Sequence, residues 1–144
     1  MESLHYLLMK AHTNLQRNII AGAAELGLSP GQPKILDYLS GHEGSDQKTI
    51  AAYCEIEQTT VGSILTRMEK ADLIERRQKD GNRRSIYIYL TEKGRRAAEK
   101  MESVFKRADE LALKGLTEDE AAQLKYYLNK ICTTLTCDTT LEEA

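Results

Sequence analysis

Residues 58–70 combine short hydrogen-bonding side chains with two cations: Gln58, Thr59, Thr60, Gly62, Ser63, Thr66, Arg67 and Lys70. Just downstream, Arg76, Arg77, Lys79, Arg83 and Arg84 crowd a second short stretch. Neither group is a catalytic assembly. No nucleophile with a base and an orienting group can be picked out, no Gly-rich phosphate loop, and no paired carboxylates on a cleft-forming element. His5, His12 and His42 lack the clustered carboxylates or spacing of a metal site. Cys54, Cys132 and Cys137 are odd in number and lack CxxC spacing, which disfavours a zinc site or a disulfide framework. No enzyme, cofactor or metal is expected. The chemistry these residue types suit is recognition of a polyanion with readable edges. Glutamine pairs bidentately with adenine, arginine with guanine or a phosphate, and hydroxyls and glycine permit close approach.

The charge distribution agrees. Net charge is −2 over 144 residues, against a protein that coats nucleic acid indiscriminately. Residues 56–96 hold ten Lys/Arg and six Asp/Glu, giving +4, so the rest of the chain carries −6. Positive charge is therefore gathered where the hydrogen-bonding residues lie. At this length, 41% hydrophobic and 29% charged, the chain suits one compact, mostly helical domain. It has no leader-like N-terminus and no apolar run approaching about 18 residues, so no membrane is expected and a cytoplasmic location is.

Elements must position those residues. Leu4, Leu7, Leu8, Ala11, Leu15, Ile19 and Ala23 recur at helical steps, with Gly27 as a C-terminal cap. Ser29-Pro30-Gly31-Gln32 reads as a capping box, with Pro30 at the first helical position of a helix through Ile35, Leu36 and Leu39. Ser45 or Asp46 caps a short helix containing Ile50 and Ala51, and Val61, Ile64, Leu65 and Met68 mark another. The period then changes. Residues 73–78 and 85–90 alternate like strands around Asp80-Gly81, which predicts a β-hairpin. Thr91 caps a long helix bearing Ala97, Met101, Val104, Phe105, Ala108, Leu111 and Ala112, ending near Gly115. Thr117 and Glu120 form a capping box for a last helix with Leu124, Leu128, Ile131 and Leu135, and the acidic tail 138–144 is expected to fray.

With Val61, Ile64, Leu65 and Met68 inward, Thr59, Gly62, Ser63, Thr66, Arg67 and Lys70 face outward, a surface of the kind a major groove accepts. A hairpin tip projects its arginines further, toward a narrow minor groove or flanking phosphates. The bland alternatives are an ordinary Thr/Ser-rich surface helix and an edge hairpin whose cations only prevent strand pairing. Their adjacency favours the nucleic-acid reading: sequence-specific binding of double-stranded DNA. The rival is a winged-helix protein-interaction adaptor without specific DNA binding.

The stretch Thr59-Thr60-Val61-Gly62-Ser63-Ile64-Leu65-Thr66-Arg67-Met68-Glu69-Lys70-Ala71-Asp72-Leu73-Ile74-Glu75-Arg76, followed by the hairpin and by Leu90-Thr91-Glu92-Lys93-Gly94, resembles the MarR-type winged helix-turn-helix transcriptional regulators. The likeness runs over nearly the whole chain. Two departures stand out. Asn82 occupies the position of the aspartate that usually braces the wing arginine, here Arg84, and Ala71-Asp72 replaces the Gly that commonly precedes Leu-Ile.

The resemblance implies a mainly α fold with a small β-hairpin wing. Residues 1–28 would form a dimerisation helix, 29–91 the winged helix-turn-helix module and 92–144 further dimerisation helices, in one intertwined domain. It implies a ligand-responsive repressor, a homodimer on a pseudo-palindromic operator, with DNA contacts from the thirteen residues of the two clusters above. It also implies a small aromatic or phenolic effector, for which Met9, His12 and Gln16 on the first helix and Tyr38 on the second are the candidates. Family members also switch through a cysteine in the first helix; this chain has none there, which leaves Cys54, Cys132 or Cys137 as thiols by another route.

Overall fold

The computed structural model describes residues 1–79 and 81–137, with the side chains of 79, 82 and 83 outside the described residues. The expectations for the acidic tail and for Asp80 lie outside them as well. The described elements are α1 (Leu4–Glu25), α2 (Gln32–Gly41), β1 (Ser45–Asp46), α3 (Gln47–Cys54), α4 (Gln58–Lys70), β2 (Ile74–Lys79), β3 (Asn82–Leu90), α5 (Glu92–Leu113) and α6 (Glu118–Cys137). Two compact units divide the chain, residues 1–108 and 109–144.

Most element boundaries follow from local chemistry. Asp46 accepts a bond from the Thr49 N–H at 2.8 Å and so caps α3. Thr91 Oγ1 accepts from the Gly94 N–H at 2.9 Å at the entry of α5. At α6, the Thr117 N–H donates to Glu120 Oε1 at 2.9 Å while the Glu120 N–H donates to Thr117 Oγ1 at 3.1 Å, the reciprocal box its sequence predicts. The start of α2 differs from the expectation. Pro30 is not its first residue: Gly31, at φ 92°, intervenes as N-cap, and Pro33 occupies the first turn. Gln32 nonetheless reaches back, its Oε1 accepting from the Ser29 N–H at 3.1 Å. A positive-φ residue between Pro30 and the helix needs glycine, and a proline-first helix beginning two residues earlier would leave no place for it.

In unit 1 the core is built from Ile35, Leu36 and Leu39 of α2, Ile50 of α3, Val61, Leu65 and Met68 of α4, Ile74 and Ile88 of the sheet, and Met101 of α5. Burying each such side chain contributes about 1.5–3 kcal/mol. The sheet order is β1-β3-β2, antiparallel throughout. β1 has no counterpart in the sequence reading, because two residues cannot display an alternation. Its register, Ser45 opposite Ile88 and Asp46 opposite Tyr87, ties the start of α3 to the base of the hairpin. The β2–β3 ladder runs from Ile74 opposite Leu90 to Gln78 opposite Ile86, then shifts register, so that Lys79 pairs with Asn82.

The joint between the α4–β2 turn and α5 is tight. A Cβ at Gly94 would fall 1.9 Å from the Leu73 carbonyl oxygen, a backbone atom that cannot give way. That contact explains the glycine in Leu-Thr-x-x-Gly. Thr91 completes the joint, its N–H donating to the Leu73 carbonyl at 3.1 Å and its hydroxyl to that of Asp72 at 2.6 Å. Asp72 itself adopts φ 60°, so the turn survives where the family's glycine is replaced. Aspartate tolerates that region better than most residues.

Unit 2 holds α6, none of whose residues is buried; Leu124, Tyr126, Tyr127 and Leu135 are exposed. Leu111 and Ala112, expected on the buried face of α5, are also exposed. No described helix is long and apolar enough to cross a membrane.

Candidate nucleic-acid interface

α4 divides cleanly. Val61, Ile64, Leu65 and Met68 are buried, while Gln58, Thr59, Thr60, Ser63, Thr66, Arg67 and Lys70 are exposed. The buried side is pinned by α2, α3 and the sheet, which aims the other side outward. Glu57, the N-cap, makes no side-chain capping bond, so the amides of the first turn are not capped by a side chain. Two hydroxyls are turned onto their own helix: Ser63 Oγ donates to the Thr59 carbonyl at 3.3 Å and Thr66 Oγ1 to that of Gly62 at 3.0 Å. Both remain able to accept a bond from outside.

Gly62 is half-buried, and its lack of a side chain is used within the protein. A Cβ there would lie 2.9 Å from Gln47 Nε2, which donates to the Gln58 carbonyl at 2.8 Å. Gln47 thus braces α3 against the first turn of α4. Nothing in its local sequence distinguishes it from a surface glutamine, and the sequence reading missed it.

The hairpin arginines separate into different roles. Arg76 is half-buried and its Nη2 donates to the Gly62 carbonyl at 3.3 Å and to Thr66 Oγ1 at 3.4 Å. It joins β2 to α4. Arg77 is exposed, pairs with Glu75, and lies 4.3 Å from the Tyr89 ring centre in a cation–π contact. Arg84 is exposed on β3. The side chains of Lys79, Arg83 and Asn82 lie outside the described residues, and with them the question of what braces Arg84.

A second clamp was also missed. Glu43 Oε1 accepts from the Leu90 N–H at 2.8 Å and from Arg95 at 3.2 Å, fastening the end of α2 to β3 and α5.

The four candidate effector residues lie on α1 and α2. Met9 and His12 are exposed on α1, and Gln16 is half-buried. Tyr38 is buried and engaged: its ring stacks on His42 at 4.4 Å and meets Tyr53 at 4.6 Å, and its hydroxyl accepts from Ser45 Oγ at 3.2 Å. Cys54 is buried, and desolvation pushes its thiol above the ordinary value, away from reactive thiolate; Cys132 and Cys137 are exposed.

Residues 28–86 match the MarR family profile. The HTH-type transcriptional repressor Rv2887 of Mycobacterium tuberculosis is 27% identical over 128 residues, which cover 89% of this chain and 92% of the relative. Its crystal structure in complex with DNA superposes with a TM-score of 0.76 at 25% identity, covering 91% of this chain and 98% of that one. The structure of the transcriptional regulator SlyA superposes with a TM-score of 0.84 at 28% identity, covering 96% of both chains. The profile match, the relatives covered over most of their length and the shared architecture agree with the resemblance carried by residues 59–76 and 90–94, and this chain is similar to the MarR family of winged helix-turn-helix transcriptional regulators.

Proposed function

We propose that this chain is a ligand-responsive repressor that binds a pseudo-palindromic duplex as a homodimer, with α4 in the major groove and the β2–β3 wing against the adjacent minor groove. The observation that carries this reading is the outward face of α4, where Gln58, Thr59, Ser63, Thr66, Arg67 and Lys70 lie together above a fully buried opposite side. The first-turn amides, without a side-chain cap, supply the partial positive charge that attracts a phosphate. Base edges would be read by Gln58, Ser63 and Arg67, and Thr59, Thr60 and Lys70 would fix the register on the backbone. Arg84, with Lys79 and Arg83, would serve the wing.

Homodimerisation is supported by the apolar side chains that a single chain leaves exposed: Leu4, Leu7 and Leu8 on α1, and Leu124 and Leu135 on α6. Two reading helices about 34–36 Å apart would match half-sites one helical turn apart. Effector response is suggested by a solved structure of Rv2887 in complex with salicylic acid, 27% identical with a TM-score of 0.74. A DNA regulator of this kind works in the cytoplasm.

Selection of duplexes from a random pool tests the reading directly. The expected product is a two-fold symmetric site bound with steep salt dependence. Recovery of no enriched site, with salt-insensitive binding, would replace this reading with the protein-adaptor alternative.

A further inference from the structure

Gln58 is the first residue of α4, is exposed, and among the described residues its own side chain makes no hydrogen bond. Glu57, the N-cap, adds no side-chain bond, and the chain arrives from α3 through Glu55 at φ 54°. The pose of this first turn therefore depends on what grips it from outside α4. Among the described residues, one side chain of another element bonds to it: Gln47, the first residue of α3, whose Nε2 donates to the Gln58 carbonyl at 2.8 Å. One turn further on, the Gly62 carbonyl accepts from Arg76 Nη2 of β2 at 3.3 Å. The body of α4 is thus also held from the sheet, while its first turn is held by Gln47.

The room for that bond comes from Gly62. A Cβ there would lie 2.9 Å from Gln47 Nε2 and 3.6 Å from its Cδ and Oε1, all atoms at the end of one flexible side chain. Alanine at this position would displace Gln47 and break its bond to Gln58, with no backbone strain in a helix that favours alanine over glycine. Residues 47, 58 and 62 therefore form one unit spread over two helices.

We propose that Gln47 is a positioning residue for sequence specificity: its bond fixes the first turn of α4, and with it the place where the Gln58 amide meets the duplex. The specificity role rests on the DNA-binding reading above; the bond and its dependence on Gly62 do not. A bidentate glutamine–adenine pair discriminates by about 5- to 150-fold, and two parallel bonds form together only while the backbone that carries the glutamine is held. A first turn free to rock keeps the phosphate contacts proposed for Lys70 and the wing and loses the bidentate match. Gln47 thus acts on selectivity more than on total affinity.

The test compares the full-length wild type with Gln58→Ala, Gln47→Met, Gly62→Ala and the Gln47→Met/Gly62→Ala double variant. Duplexes are selected from a random pool, and the enriched duplex and its single-base-pair variants are then titrated by anisotropy. Gln58→Ala identifies the base pair whose preference Gln58 sets. Gln47→Met keeps the side-chain length and removes the donor. It should lower the preference at that base pair at least about fivefold, leave other positions within about twofold, and leave the salt slope and circular dichroism spectrum unchanged. Gly62→Ala should lose the same preference, and the double variant no more than either, because both substitutions remove one bond. In the free protein, the Val61 N–H closes the first turn on the Glu57 carbonyl at 2.9 Å, and its hydrogen exchange should accelerate several-fold relative to that of Leu65 in both single variants. Preference retained by Gln47→Met, or lost equally at every position, overturns the positioning role. An additive double variant means that Gly62 meets the duplex itself and overturns the shared unit. Unchanged exchange overturns the hold of Gln47 on the first turn. If the wild type enriches no site while exchange accelerates in the variants, the DNA-binding reading falls and the specificity role with it, and the link between the helices stands.

Discussion

Arg76 and Arg84 are the same residue type in the same hairpin, and they differ in burial. Arg76 spends its guanidinium on the Gly62 carbonyl and Thr66 Oγ1, whereas Arg84 is exposed. A phosphate contact and an internal brace leave different marks on the salt dependence of binding. Replacing a phosphate contact lowers the slope of log K against log salt by about one. Arg76→Gln is expected to weaken duplex binding about tenfold with the slope unchanged, and to mobilise the hairpin relative to α4 by NMR relaxation. Arg84→Ala should weaken binding by at least a comparable factor without changing folding stability. A slope reduced by one in Arg76→Gln would return it to the phosphate contacts. Asp37 is a second residue whose surroundings matter. Burial, and then the nearby Glu102 carboxylate, raise its pKa above the usual aspartate value. Ionisation is therefore harder in the folded chain than in the unfolded one, and stability falls as pH rises from the unfolded value through the raised folded value. Asp37→Asn should stabilise the protein at neutral pH and have little effect at low pH; denaturant midpoints at the two pH values measure the difference.

At the scale of elements, α3 holds α4 through Gln47 and is itself started by Asp46. Hydrogen bonding from the Thr49 side chain, and then from its N–H, lowers the Asp46 pKa, so the capping contribution is present above the unfolded value and is lost as acid protonates it. Asp46→Ala is expected to cost about 1 kcal/mol in urea unfolding near neutral pH. The deficit should shrink below the aspartate range; an equal deficit at every pH would show that the carboxylate does not act as the cap. The helices, their caps and the hairpin were legible because each depends on residues within one or two turns of chain. The short strand β1 was not, since its only signature is the partner strand more than forty residues away. The start of α2 was misjudged for the same reason in miniature. Pro30 and Pro33 are both acceptable first-turn residues by type, and the positive-φ Gly31 decides between them.

For the whole molecule, the positive charge of residues 56–96 and the exposed apolar side chains of α1 and α6 point to different partners, a polyanion and a second copy of the chain. Sedimentation equilibrium at micromolar concentration should give twice the chain mass, and the thermal midpoint should rise with concentration, as it does when folding and association are linked. Leu124→Glu/Leu135→Glu should favour the monomer and weaken duplex binding more than about a hundredfold, because two linked half-sites become one. A monomeric wild type would sink the dimer.

The sequence by itself determined the helices and hairpin, the two faces of α4, three helix caps and the resemblance to the MarR family. These are periodic or short-range features, which local chemistry writes into neighbouring residues. Only the tertiary structure decided that Arg76 braces α4 from within, that Gly62 makes room for Gln47, that Gly94 exists to let α5 meet the Leu73 carbonyl, and that Glu43 clamps β3 and α5. Each is a contact between segments distant in the chain. An arginine that donates to a backbone carbonyl on another element is indistinguishable by type and spacing from any other hairpin arginine, so the bracing by Arg76 had to wait for the fold.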